Sequence, residues 1–538
     1  MKFLDTFFRR EPRTVSAQTE RWAFLVLIVI GILIRTVTLS QDSLWVDEGY
    51  SLAMAQTSLN DLWGVPFDVH PPLYYTLLKP FLAFGTSEFP LRLLSVICGT
   101  ATLIPIYMLS KRLFGNLGAL TATALVDFSF TLLIYFGNGR NYALLLLLSI
   151  TLMLALHRVY VDLIKADGKI QSIVIWIGLY YAAALAALYT HNTAVLYILF
   201  ANLVIAVAAL VAAPQRVVST SLKLILLNLP VIIGWIPWLS VILATSGDFG
   251  WLHQAGPVEA IKTTAIVALP NRSTALGVVI AIGVILVGTL ACLRRNHEAL
   301  VIGVSHIAIF PLLIWGFGFF HTPVFMERTI LPVAIGSAIL SGAAIAYVNP
   351  KRIVFSLAAL AVAANMVSTG SYLLRGTGET SLGGFTMQNW RDAIEVPLSI
   401  ETDTAFIVCV SFSFPTANYY SRGSDILLIH SNGKPVRIDE EQWRFIRTRP
   451  VTERSDGFYA ALETHIPEDQ MTTLDWSDLE ETYKQITVLG AEMYCNDARL
   501  ARMSDELNRA GWQGMAQPSY AGLKTQSFRH PSSYQSLN

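Results

Sequence analysis

The chain has 538 residues, 53% hydrophobic and 14% charged, with 38 basic and 38 acidic side chains and a mean hydropathy of +0.50. Soluble domains carry about 25% charged residues, so this composition excludes a wholly soluble protein and points to a polytopic membrane protein with one soluble part. The zero net charge lacks the basic excess of a nucleic-acid binder.

Residues 1–21 form a polar N-terminal tail, expected to be mobile and cytoplasmic. The apolar run 22–39 is long enough to cross a hydrocarbon core. It is followed by Ser-Gln-Asp-Ser with no small-residue cleavage pattern, so it reads as a retained first helix and not as a signal peptide. Further apolar runs of spanning length lie at 91–110, 117–136, 141–160, 172–190, 193–213, 222–244, 275–293, 299–320, 329–348 and 352–374. The expected fold is therefore a polytopic α-helical membrane protein with about eleven transmembrane helices within 22–375. Orientation follows from Lys and Arg in the short connections. With the N-terminus in the cytoplasm, Lys111, Arg112, Arg158, Arg216, Arg294, Arg295, Lys351 and Arg352 fall on inner ends, and the outer connections carry only Lys79, Arg140, Lys262, Arg272 and Arg328.

An odd number of crossings puts residues 376–538 outside. Their composition is mixed polar, with strand-like runs at 405–410, 425–430 and 485–489 and helix-like runs at 475–483 and 497–510. That pattern describes a small extracytoplasmic α/β domain. Cys409 and Cys495 fall there, and the sequence leaves open whether they pair or stay as buried thiols. Cys98 and Cys292 fall in apolar segments and read as packing residues, and the four cysteines show no metal-ligand spacing.

The first outer connection, 40–90, is long, and loops of that length usually carry structure or function of their own. It holds Asp47-Glu48-Gly49-Tyr50-Ser51, then 52–62, which can form a short interfacial helix, then Asp68-Val69-His70-Pro71-Pro72-Leu73-Tyr74-Tyr75. The paired prolines cannot continue a helix and would hold the backbone around His70. A second outer loop, 245–274, holds Asp248, Trp251, His253 and Arg272.

Alone, an acidic pair just past a helix marks where the chain leaves the bilayer. The distribution of the other polar residues argues for more. Asp47, Glu48, Asp68 and His70, then Asn138, Arg140 and Tyr142, then His191 and Asn192, then His321, Glu327 and Arg328 all fall on the outer side. Each has a plainer reading: Arg140 snorkelling to the interface, Tyr142 and the tryptophans Trp45 and Trp63 as belt aromatics, Arg328 paired with Glu327. Together they read as an active site open to one membrane face. A carboxylate there can deprotonate an acceptor, and guanidinium groups can hold a departing phosphate. The set suits glycosyl transfer from a lipid-phosphate sugar. The spacing equally allows lipid-phosphate hydrolysis, ion-coupled transport or lipid flipping, and the outer domain could serve as a non-catalytic glycan-binding assembly module.

The motifs resemble those of the membrane-embedded glycosyltransferases of the GT-C fold, in the bacterial glycosyltransferase 39-like branch related to protein O-mannosyltransferases and aminoarabinose transferases. They are Asp47-Glu48-Gly49-Tyr50-Ser51, His70-Pro71-Pro72-Leu73-Tyr74-Tyr75, Ser87-Glu88-Phe89-Pro90-Leu91-Arg92, Lys111-Arg112-Leu113-Phe114-Gly115, Gly139-Arg140-Asn141-Tyr142, Tyr189-Thr190-His191-Asn192 and Arg328-Thr329-Ile330-Leu331-Pro332. The resemblance implies an inverting transfer on the extracytoplasmic face of a bacterial inner membrane. The donor would be a polyprenyl-phosphate-linked sugar and the acceptor a lipid, polysaccharide or protein of the cell envelope. Asp47 matches the catalytic base, with Glu48 beside it. His70 and Arg140 match residues assigned toward the donor phosphate, and Tyr142, His191 and Arg328 fall in motifs of the same cavity. No cofactor is expected; Asp47 and Glu48 could bind a divalent cation, but relatives of this branch do not generally need one. The chain departs from many relatives at Gly137 and Asn138, where they carry Gln-Glu, and at Asn192, where they carry Tyr. Asn389-Trp390-Arg391-Asp392 resembles the opening of the outer domain in some of them.

Overall fold

The computed structural model describes residues 8–64, 70–165, 173–244, 252–269, 275–349, short stretches between 356 and 370, 388–409, 413–429, 434–438, 442, 472–491, 495, 497–516 and 518–531. The chain divides into two units. One comprises Met1–Leu39, Arg92–Val241 and Gly250–Leu374; the other comprises Ser40–Leu91, Ile242–Phe249 and Arg375–Asn538.

In the first unit, apolar runs become helices because a backbone in lipid must satisfy its own hydrogen bonds. Among the described residues, 7 helical stretches are long and apolar enough to cross a membrane, and Val174–Leu188 and Pro332–Tyr347 are shorter apolar helices. The longest stretch, Glu88–Asp127, breaks at Phe114 and Gly115, where Gly115 adopts φ +81°. It therefore accounts for two of the runs read from sequence. The last run, 352–374, lies mostly outside the described residues. The loop expected at 245–274 contains the helix Pro257–Ala268, with Pro257 in its first turn and the Glu259 carboxylate accepting from Gly256 N–H at 3.3 Å.

Pro332–Tyr347 is buried along its whole length. Its small side chains let neighbouring helices approach closely: a Cβ on Gly342 would stand 2.5 Å from Gly118 O. The C-terminal carbonyls of a helix lack intrahelical partners, and here the tail supplies them. Arg9 N–H donates to Tyr347 O at 2.7 Å, Arg13 N–H to Ala346 O at 2.9 Å, and the Arg13 guanidinium to Val348 O at 2.9 Å. The tail expected to be mobile is therefore held from Phe8 onward. A buried ion pair joins Arg35 of Ala17–Thr38 to Asp127 at 2.6 Å, and Arg35 also donates to Asp127 O at 3.2 Å. Gly31 leaves room for it, since a Cβ there would meet Asp127 Oδ1 and Arg35 Nη1.

The second unit contains a 7-stranded sheet in the order β4-β3-β2-β1-β5-β7-β6. The strands are β1 Thr404–Val408, β2 Ile426–Ile429, β3 Pro435–Arg437, β4 Thr472–Thr473, β5 Gln485–Ala491, β6 Gln513–Met515 and β7 Leu523–Arg529. β1 runs parallel to both β2 and β5, and the helix Phe414–Tyr420 makes the crossover from β1 to β2. Cys409 and Cys495, left open by the sequence, form a disulfide with Cα atoms 5.8 Å apart. Gly490 on β5 is seated against both of them, where a Cβ would be 2.7 Å from each of Cys409 Cβ and Cys495 Sγ. Replacing both cysteines with alanine is expected to lower the stability of this domain by about 2–4 kcal/mol, read as faster proteolysis within 388–531 of the folded chain.

Candidate active site

Asp47, Glu48 and His70 belong to the second unit, and Arg140, Tyr142, His191 and Arg328 to the first. Each group is described within its own unit.

The acidic pair opens the helix Val46–Gln56. The first amides of a helix have no intrahelical acceptor. Glu48, at the third position, turns back so that Oε2 accepts from Trp45 N–H at 3.3 Å, as the acid of a capping box does. Glu48 is fully buried, whereas Asp47 is partly exposed. The negative charges also lie at the positive end of the helix dipole. At the other end Lys79 Nζ donates to Ala55 O at 2.8 Å and to Thr57 O. Lys79 follows the helix Leu73–Leu78, which packs on Val46–Gln56. His70 stands half-buried at the entry to that helix, just before Pro71-Pro72. Asp68, Asp248, Trp251 and Arg272 lie outside the described residues.

In the first unit, residues 138–141 make the turn between the helices Phe130–Phe136 and Tyr142–Val159. Ser95 Oγ donates to Arg140 O at 3.1 Å, Arg140 N–H donates to Asn138 O at 2.7 Å, and Asn141 Nδ2 donates to Thr190 O at 2.9 Å. Arg140 is therefore buried on a turn fixed from two sides. Tyr142, also buried, meets the edge of Tyr135 with ring centres 5.7 Å apart and lies 6.2 Å from the His191 ring. His191 Nδ1 accepts from Thr193 N–H at 3.2 Å and bonds Thr193 Oγ1 at 2.8 Å. A ring nitrogen that accepts carries no proton, so the neutral imidazole has its N–H at Nε2.

Arg328 sits on the short 3-10 turn Glu327–Thr329. Thr329 holds that turn: its hydroxyl donates toward Val324 O at 2.7 Å and accepts from Met326 N–H at 3.1 Å. The Arg328 guanidinium carbon lies 5.9 Å from the Tyr142 ring centre, within cation–π range. Arg328, Tyr142 and Thr193 line a small cavity together with Leu145, Tyr197, Phe310 and Leu331. Asn192 Oδ1 accepts from Trp238 Nε1 at 2.9 Å, so this departure from relatives has a packing partner. Sequence reasoning passed over Glu88, Arg92 and Tyr420 as site residues. Arg92 is buried and donates to Leu39 O at 2.7 Å, and Glu88 and Tyr420 pair with each other across 332 positions, a separation that no local pattern reveals.

Over nearly its whole length the chain is similar to ArnT from Cupriavidus metallidurans. The apo structure of that protein superposes with a TM-score of 0.61 at 15% identity, covering 95% of this chain and 98% of that one. Its complex with undecaprenyl phosphate gives 0.57 at 14%, covering 94% and 97%. At this identity the likeness establishes the fold alone: the chain has a GT-C-type membrane fold, as the motifs implied. Residues 69–241 further match the model of the dolichyl-phosphate-mannose-protein mannosyltransferase family, which agrees with the glycosyltransferase 39-like resemblance. No curated protein matches by sequence.

Proposed function

We propose that the protein is an inverting glycosyltransferase that moves a sugar from a polyprenyl-phosphate-linked donor to a lipid, polysaccharide or protein acceptor of the cell envelope. The observation that carries this reading is the setting of Arg328 in the first unit. Its guanidinium lies against the Tyr142 ring beside a small cavity lined by Leu145, Phe310 and Leu331, which suits an anionic group next to apolar surface. The family match over residues 69–241 favours the same donor class.

In this mechanism Asp47 takes the proton from an acceptor hydroxyl or amine. The acceptor atom bonds to the anomeric carbon as the bond from that carbon to the phosphate oxygen breaks, and the electron pair leaves on the polyprenyl phosphate. Arg140, Arg328 and His70 offset the charge on the leaving phosphate, and Tyr142 and His191 shape its surroundings. Glu48 is assigned to the turn that presents Asp47, since its carboxylate already caps that turn. The Cys409–Cys495 disulfide supports an oxidising compartment for the C-terminal domain, which agrees with an extracytoplasmic location and an N-terminus in the cytoplasm of the inner membrane.

Arg328→Ala tests the phosphate role. Charge-assisted hydrogen bonds contribute about 1.5–3 kcal/mol each, so undecaprenyl phosphate should bind roughly ten- to hundredfold more weakly to the purified chain in nanodiscs. Unchanged binding would remove Arg328 from the donor site.

A further inference from the structure

The segment that leads into Val46–Gln56 is held by the C-terminal region of the same unit, through contacts to Asp42, Ser43, Leu44 and Val46. Arg391 Nη2 donates to Asp42 O at 3.3 Å. Ser43 Oγ donates to Gln388 O at 2.6 Å and accepts from Trp390 N–H at 3.0 Å. Leu44 N–H donates to the Tyr420 hydroxyl at 2.7 Å. Val46 N–H donates to Gln388 Oε1 at 3.1 Å, and Val46 O accepts from Thr416 Oγ1 at 3.3 Å. Two groups tie these together. Tyr420 uses its own proton on Glu88 Oε1 at 2.8 Å, and the same carboxylate oxygen takes Arg391 Nη2 at 2.6 Å. Burial, with the Glu88 carboxylate beside it, pushes the Tyr420 hydroxyl above its usual range, so it stays a donor.

Gly49 completes the contact. A Cβ there would lie 2.9 Å from Thr416 N, so the acid helix and Phe414–Tyr420 approach more closely than any other residue would allow. A buried amide left without a partner is costly, and here the Leu44 and Val46 amides find theirs on the side chains of Tyr420 and Gln388. The start of the acid helix therefore cannot turn without breaking several of these bonds. Misplacing a reacting group by about 1 Å can cost about a hundredfold in rate.

We propose that Tyr420, Arg391 and Gln388 are positioning residues that fix the orientation of the Asp47 carboxylate, making the C-terminal domain part of the reaction scaffold and not a separate glycan-binding module. This rests on the reading of Asp47 as the base. The test uses the full chain with Tyr420→Phe, Arg391→Gln and Arg391→Lys. In nanodiscs, hydrogen exchange at residues 44–49 is expected to be at least tenfold faster in Tyr420→Phe, with β1 and β5 unchanged and undecaprenyl phosphate binding within twofold of wild type. In cells lacking the gene, the same variants should restore at least tenfold less of the glycan product than the wild-type gene, with Arg391→Lys retaining more than Arg391→Gln. Arg422→Ala, which removes an exposed ion pair to Glu395, should restore it fully.

Unchanged exchange at 44–49, or equal acceleration throughout the sheet, would overturn the positioning role. So would wild-type product from Tyr420→Phe beside a functioning wild-type gene. A wild-type gene that restores no glycan product would instead overturn the Asp47 reading and the positioning role with it, even if the exchange pattern held.

Discussion

Asp47→Asn is expected to abolish measurable sugar transfer while leaving the chain folded and able to bind undecaprenyl phosphate. Asparagine has the shape of aspartate but cannot take a proton at neutral pH, and a positioned general base contributes about 10²–10⁴-fold. The helix itself should survive the change. Its first turn is capped by Glu48 on Trp45 N–H, its far end by Lys79, and the preceding segment is held by Gln388 and Tyr420. Loss of transfer with retained lipid binding would thus be a chemical effect. Near-normal transfer by the amide would show that another group takes the proton. Glu48→Gln supplies the contrast: it removes a buried capping carboxylate, so the expected loss comes with weaker protection of Val46–Gln56 from hydrogen exchange.

The second large effect concerns stability. Asp127→Ala is expected to destabilise the first unit by about 3–5 kcal/mol, because it leaves the Arg35 guanidinium buried and unpaired. Both partners are fully buried, so water cannot replace the lost carboxylate, and the Arg35 guanidinium, 5.2 Å over the Phe136 ring, has no room to leave. The effect should appear as a lower thermal midpoint of the purified protein in detergent. Replacing both members at once, with Arg35→Met and Asp127→Leu, should recover most of the loss, since a packed apolar pair avoids the cost of burying charge. If the double replacement is as unstable as Asp127→Ala alone, the pair is not acting as a coupled unit.

How far the sequence disclosed this molecule depended on distance along the chain. The apolar runs follow directly from the length of helix needed to cross a bilayer, so most of them correspond to helices here. β1, β2 and β5 were legible because they are buried strands in the middle of the sheet, rich in apolar and β-branched residues. β7, Leu-Lys-Thr-Gln-Ser-Phe-Arg, was not: its polar residues alternate with apolar ones too irregularly to mark a strand, and seven-residue pairing with β5 defines it. The helix Pro257–Ala268 did carry a signal. Gly256-Pro257-Val258-Glu259 has proline in the first turn and an acid three residues past the cap, a start pattern that a loop assignment passes over.

The candidate site divides in the same way. Tyr142, His191 and Arg328 were singled out as polar residues at helix ends on one side of the predicted topology, and Tyr142 and Arg328 line the same pocket. What the sequence could not give was the support behind them. Thr329 holds the turn of Arg328, and its role depends on backbone carbonyls at 324 and 326. Arg391 meets Glu88 across 303 positions. Both residues lie in motifs recognised from the sequence, yet nothing local says that one motif exists to hold the other.

The most direct test of sugar transfer from a polyprenyl phosphate is mass spectrometry of envelope lipids, glycans and proteins from cells with and without the gene. Loss of one glycosyl substituent, with build-up of the same sugar on polyprenyl phosphate and restoration by the wild-type but not the Asp47→Asn gene, is the predicted result. Envelope profiles that are identical in the two strains, or a missing substituent that the Asp47→Asn gene restores in full, would contradict it.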